Sequence, residues 1–200
     1  SLVKRAGELR LGDPTDPATD VGPVIDRRSA ERIHGIVEAA LAEGAVAATG
    51  AEIVAVDGCA GGSFYAPTIL RGIQRQHRIA REEVFGPVLS VIEIESLDEA
   101  IEIVNESEYG LSAAIYTDAI APALQAVDRI NTGIVYVNAP TIGAEIHLPF
   151  GGTKHTGNGF REAGRRGIEQ FSEVKTVYVD YSGHLQRAQI DNRPPVEASE

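Results

Sequence analysis

With 200 residues, 43% of them hydrophobic and 24% charged, the chain has the composition of an ordinary globular domain with one core, not of a disordered segment. Its net charge of −11 disfavours nucleic acid, whose phosphates call for clustered Lys and Arg, and disfavours anionic membrane surfaces equally. No apolar run is long enough to span a bilayer, the opening SLVKRAGELRLGDP has no signal-peptide core, and the lone Cys59 fits a reducing, cytoplasmic setting.

In chain order, Leu2, Ala6 and Leu9 recur near helical spacing and read as the last turns of a helix that Pro14 and Pro17 end. Residues 27–43 carry Ile33, Ile36, Val37, Ala40 and Leu41 at a 3.6-residue period, with Gly44 as the stop. A buried strand is expected at 45–49, a flexible turn at 57–62 (DGCAGG), and a strand entered through Pro67 at 64–70. The alternating, β-branched run 88–94 is a strand, and 97–106 is a helix with Ser96 as N-cap and Ile101 and Val104 facing inward. A strand at 113–116, a helix at 119–130 with Leu124, Val127 and Ile130 in register, and a strand at 133–138 follow. This alternation predicts an α/β fold, a parallel twisted sheet with flanking helices. A glycine-rich stretch (151–164) leads to a short helix near 165–170, then to a late alternating strand at 174–181. The polar end, 183–200, is expected to be loosely held.

Two segments invite chemistry. In Glu82-Glu83-Val84-Phe85-Gly86-Pro87, a carboxylate beside an aromatic could hold sugar hydroxyls and pack on a flat ring. From the residues alone, a helix end and turn is the plainer account. The glycines around Lys154 suggest a close backbone approach, either a phosphate cradle or a structural crossover loop; GxxxxGK[ST] is not present, which favours the crossover. His34, His77, His147, His155 and His184 show no metal-ligand spacing, so no metal site is expected. Cys59, flanked by Asp57 and glycines, reads as a loop cysteine and not as a nucleophile.

Taken in order, residues 9–25 (LRLGDPTDPATDVGPVI), 64–70 (FYAPTIL), 82–91 (EEVFGPVLSV), 96–117, 133–138 (GIVYVN), 149–164 (PFGGTKHTGNGFREAG) and 171–181 (FSEVKTVYVDY) resemble the aldehyde dehydrogenase superfamily. The resemblance implies its C-terminal part: a partial catalytic domain over 1–170, an oligomerisation strand at 171–181 and a polar tail at 182–200. It implies NAD or NADP as cofactor, with Glu83 on the ribose of the nicotinamide half and Phe85 near the nicotinamide. Residues 149–152 match the loop crossing beneath the active site. Thr141, Gly143, Ala144 and Glu145 match the loop that contacts the far end of the aldehyde. The strand at 174–181 is similar to the arm that pairs with a neighbouring subunit, making a homo-oligomer.

The family oxidises an aldehyde by attack of a cysteine, hydride passage to the nicotinamide and release of the acid by water. That cysteine, the general-base glutamate and the oxyanion-stabilising asparagine belong upstream of Leu9, and Asn138 matches a structural position. The resemblance therefore implies no catalytic residue in this chain and a fragment inactive alone; the opening without Met favours truncation. The alternative is a non-catalytic oligomerisation module. The forms GAEIHLPFGG (143–152) and KHTGNG (154–159) resemble semialdehyde-oxidising members.

Overall fold

The computed structural model describes residues 1–143 and 145–184. Helix α1 (Leu2–Gly7) runs into a loop, and α2 (Arg27–Ala42) follows. The Asp26 carboxylate accepts the Ser29 amide at 2.6 Å and so satisfies one of the orphan N–H groups that open α2. Gly44, at φ 101°, turns the chain away at the other end. Between these ends Ile33, Ile36, Val37 and Ala40 are buried. They form one core with Tyr65, Leu70, Ile73 and Ile79. Each fully buried aliphatic side chain contributes about 1.5–3 kcal/mol, which makes α2 the fixed reference against which nearby loops are held.

Strand β1 (Val46–Thr49) pairs antiparallel with β4 (Thr68–Arg71), while β2 (Ile53–Val54) and β3 (Phe64–Tyr65) form a small hairpin between them. The strand expected to be buried at 45–49 is instead an edge, with Val46 62% exposed. The short helix α3 (Arg78–Arg81) precedes β5 (Val88–Ser90), which pairs parallel with β4. Helix α4 (Leu97–Glu106) starts at Ser96, whose hydroxyl accepts the Glu99 amide at 3.1 Å. Strands β6 (Tyr109–Gly110) and β7 (Ser112–Ile115), helix α5 (Ile120–Arg129) and β8 (Ile134–Val137) come next, and β7 and β8 pair parallel across the α5 crossover. Strand β9 (Thr153–Lys154) returns antiparallel to β6, and α6 (Gly164–Glu169) follows the glycine-rich loop.

Three expectations need correction. Among the described residues the parallel strands do not form one sheet: β4–β5 and β7–β8 are separate pairs. On α5 the buried face is Ala123 and Ala126, whereas Leu124 and Val127 are 61% and 45% exposed. A helix buries whichever face meets a neighbour, and the small face packs toward α4. The run 174–181 forms no strand among the described residues; Val174, Val177, Tyr178, Val179 and Tyr181 stay exposed, because a strand needs an open edge to pair with. The tail from 185 lies outside the described residues. Among those described, no helix is long and apolar enough to cross a membrane.

Candidate functional site

The segment between α3 and β5 forms a corner with two outward residues. Its chain leaves the helix at Glu82 and alternates: Val84 packs against the core, while Glu83 and Phe85 face solvent. Phe85, 76% exposed, sits at φ 54°, a left-handed conformation that a bulky aromatic rarely adopts. Such strain persists only where the surroundings enforce it. Here Arg32 Nη2 on α2 donates to the Val84 carbonyl at 2.6 Å, and the Thr68 amide of β4 donates to the Pro87 carbonyl at 2.8 Å. Gly86 lies against the buried Ile33: a Cβ at this position would come within 2.6 Å of Ile33 Cδ1.

The two glutamates of this corner have different fates. Glu82 is held by Arg78, one turn earlier, and has Arg32 Nη1 at 3.9 Å. The hydrogen bond from Arg78 holds its carboxyl below the usual glutamate range. Glu83 makes none of these contacts and is exposed; both glutamates border a cleft of about 330 Å³ lined also by Tyr109, Leu111 and Thr156. The i,i+4 spacing of Arg78 and Glu82 was a readable signal for the pair. Nothing local in the sequence marks Arg32, which lies 52 positions before Val84.

The loop after β8 borders a second cavity of about 320 Å³, lined by Tyr136, Ile142, Gly143, Glu145 and Phe150 among others. Tyr136 donates its hydroxyl to the Gly143 carbonyl at 2.8 Å, which ties the loop to β8. Thr141 is exposed and does not line this cavity, and Ala144 lies outside the described residues. The cavity is not the one that Glu83 borders, so the two groups of candidate residues occupy separate places on the surface.

The glycine-rich segment is a crossover. Phe150 and Glu162 exchange backbone hydrogen bonds at 2.6 and 2.8 Å, and a Cβ on Gly133 would overlap the Gly151 carbonyl, so loop and strand pass backbone to backbone. Lys154 does not face a phosphate cradle: its ammonium donates to the carbonyls of Asn105 and Ser107 at the end of α4. Asn138 joins the ends of the β7–β8 pair through two 2.9 Å bonds with the Thr117 backbone, which is a structural role. Cys59 lies half-buried in the β2–β3 turn, and its backbone bonds to Val56 and Gly62. Among the described residues no group of three or more His, Cys, Asp or Glu side chains could hold a metal ion.

A family model, the aldehyde dehydrogenase family, matches residues 1–177. The chain belongs to the aldehyde dehydrogenase family. It is 38% identical over 179 residues to a betaine aldehyde dehydrogenase of Brucella anthropi, covering 90% of this chain and 36% of that protein. The same enzyme of Mesorhizobium japonicum is 35% identical with the same coverage. Among solved structures, an NAD-dependent aldehyde dehydrogenase from Sinorhizobium meliloti superposes with a TM-score of 0.84 at 35% identity, over 92% of this chain and 36% of that one. A betaine aldehyde dehydrogenase from Staphylococcus aureus, solved in complex with NAD+, gives 0.79 at 35% identity, over 85% of this chain and 33% of that one. The chain thus spans about a third of the length of the relatives it matches.

Proposed function

We propose that this chain is the C-terminal portion of an NAD(P)-dependent aldehyde dehydrogenase, carrying one edge of the cofactor site and the loop that meets the far end of the aldehyde. The observation that carries this reading is the corner at Glu83. Of two adjacent carboxylates, one is consumed by arginines and the other is left exposed beside an aromatic held at positive φ. A free carboxylate accepts two hydroxyl hydrogen bonds and so suits a ribose diol, and the Phe85 face suits a flat heteroaromatic ring. The residues present therefore fit the nicotinamide half of NAD(P).

When bound, that cofactor supplies the hydride acceptor for aldehyde oxidation. This chain's own contribution is binding and orientation: Glu83 fixes the sugar, Phe85 limits the ring's positions, and Ile142, Gly143 and Glu145 meet the substrate's distal end. The nucleophile belongs to the remainder of the protein, and Cys59, in its turn between β2 and β3, does not replace it. Leu111, Ile146, Phe150, Phe160, Ile168 and Phe171 line an apolar groove of about 790 Å³, a surface that the remainder of the enzyme would cover. The alternating, β-branched segment 174–181 then serves as an arm that adds a strand to a neighbouring subunit.

The loop and glycine-rich forms GAEIHLPFGG and KHTGNG support a semialdehyde substrate. A second reading has its own observation: Glu145 is the charged residue lining the loop cavity, beside Tyr136 and Phe150. A carboxylate with aromatic walls favours an aldehyde bearing an ammonium group, as in the betaine aldehyde dehydrogenases it resembles.

The deciding experiment assays this chain beside its full-length gene product, with NAD+ and NADP+ and a panel of aldehydes. Activity confined to the longer protein supports the reading. Activity in this chain alone overturns the assignment of the nucleophile elsewhere. Inactivity of both favours a non-catalytic oligomerisation module.

A further inference from the structure

We infer that Arg32 is a positioning residue for the cofactor corner, an inference that rests on Glu83 being its ribose ligand. Arg32 and Ile33 are consecutive residues of α2. The Arg32 guanidinium donates to the Val84 carbonyl at 2.6 Å, and the Ile33 side chain packs where Gly86 has no Cβ. One helix therefore grips the backbone on both sides of Phe85, the residue at φ 54°. The second arm of the same guanidinium lies 3.9 Å from Glu82 and helps draw that carboxylate to the helix side. Glu83, between the two held residues, is left pointing outward.

This arrangement stores backbone strain at Phe85 and holds it with a core helix. Ile33, Ile36 and Val37 are fully or almost fully buried, so α2 does not yield, and the strain stays in the corner. The bond to Val84 joins a charged donor to a peptide carbonyl, which is stronger than a neutral pair. Without it, Val84 can rotate and Phe85 can relax toward negative φ. Either movement turns the Glu83 carboxylate away from the direction in which it is displayed. The loss falls on cofactor affinity, because preorganisation of a binding group is what the contact supplies. Arg32 touches neither the ribose nor the reacting atoms.

The test uses the full-length gene product in three variants. Arg32→Met keeps the aliphatic stem and removes the donors, Arg32→Lys keeps a donor, and Glu83→Gln probes the ligand itself. NAD+ affinity is measured by titration calorimetry, alongside thermal melting and the separate kcat and KM for NAD+. The expected result is a roughly three- to tenfold weaker NAD+ affinity in Arg32→Met. The same variant keeps its melting temperature, shows the change in KM rather than kcat, and recovers in Arg32→Lys. If Glu83→Gln weakens binding and Arg32→Met leaves it unchanged, the role of Arg32 is overturned and the site stands. If Arg32→Met loses affinity only together with melting temperature, and Lys does not restore it, Arg32 is merely structural. If Glu83→Gln has no effect on affinity, the site itself is lost, and the role of Arg32 with it.

Discussion

Lys154 Nζ donates to the Asn105 carbonyl at 2.8 Å, and its remaining reach takes in the Ser107 carbonyl at 2.9 Å. The last carbonyls of α4 have no intrahelical partner, and the negative end of the helix dipole favours a cation there. Asn105 itself accepts the Asn131 amide at 2.7 Å and donates to the Arg129 carbonyl at 2.8 Å, so the ends of α4 and α5 and the glycine-rich loop meet at one polar knot.

Replacing Lys154 by Met is therefore expected to lower the stability of the chain by about 1–3 kcal/mol, since hydrogen bonds to a charged group are lost and two carbonyls are left unsatisfied. Urea unfolding followed by circular dichroism measures the shift. Phosphate affinity should not change; a loss of phosphate or pyrophosphate binding in this variant would restore the cradle that the geometry argues against.

Tyr65 supplies a pH test. Burial, with smaller contributions from the nearby Glu38 and Glu52 charges, pushes its hydroxyl up to about 12. Its folded pKa exceeds the unfolded one, so its contribution is fully present below the unfolded value near 10 and is lost as pH rises toward 12. Tyr65→Phe is expected to flatten the alkaline limb of the stability profile while leaving the neutral region little changed. Urea midpoints from pH 7 to 11 measure it, and an unaltered alkaline limb would contradict the burial argument.

What could be read without the structure divides by the range of the interaction. Helix α2 was legible because its apolar period and the Gly44 stop lie within a single stretch, and α4 was legible through the Ser96 cap and the inward Ile101 for the same reason. The buried face of α5 was not, since Leu124 and Val127 keep helical spacing whether or not anything covers them. Likewise the runs 88–94 and 113–116 could be read as strands but their neighbours could not, and β5, which ends at Ser90, pairs with β4 instead of β7. At the site, the pairing of a carboxylate with an aromatic at Glu83 and Phe85 was visible in the motif. The Arg32 and Lys154 contacts, which cross 52 and 49 positions, have no local signal.

For the proposed substrate loop, the charge of Glu145 separates the two proposed substrate classes. In the full-length enzyme, Glu145→Gln is expected to raise KM for an ammonium-bearing aldehyde by roughly three- to tenfold, in line with one exposed charge contact. For a carboxylate-bearing semialdehyde the KM should fall or stay level. Steady-state kinetics with one aldehyde of each kind decides the matter: a rise for the semialdehyde instead would show that Glu145 does not face the substrate's charge.

The exposed run 174–181 yields the last test. Val177 and Val179 are 71% and 62% exposed, and Tyr178 between them 72%, so both faces of the alternation are presented to solvent within this chain. An apolar, β-branched segment in that condition gains by joining an unpaired sheet edge on another subunit, where its backbone N–H and C=O groups find partners. Val177→Asp places a charge on the face that would be buried there. The expected outcome is a shift of the full-length protein toward a smaller species, seen by size-exclusion chromatography with light scattering, without loss of helical circular dichroism. If the variant keeps the mass of the parent, the segment is not the arm that joins subunits, and its exposed valines must be covered by the rest of the same chain.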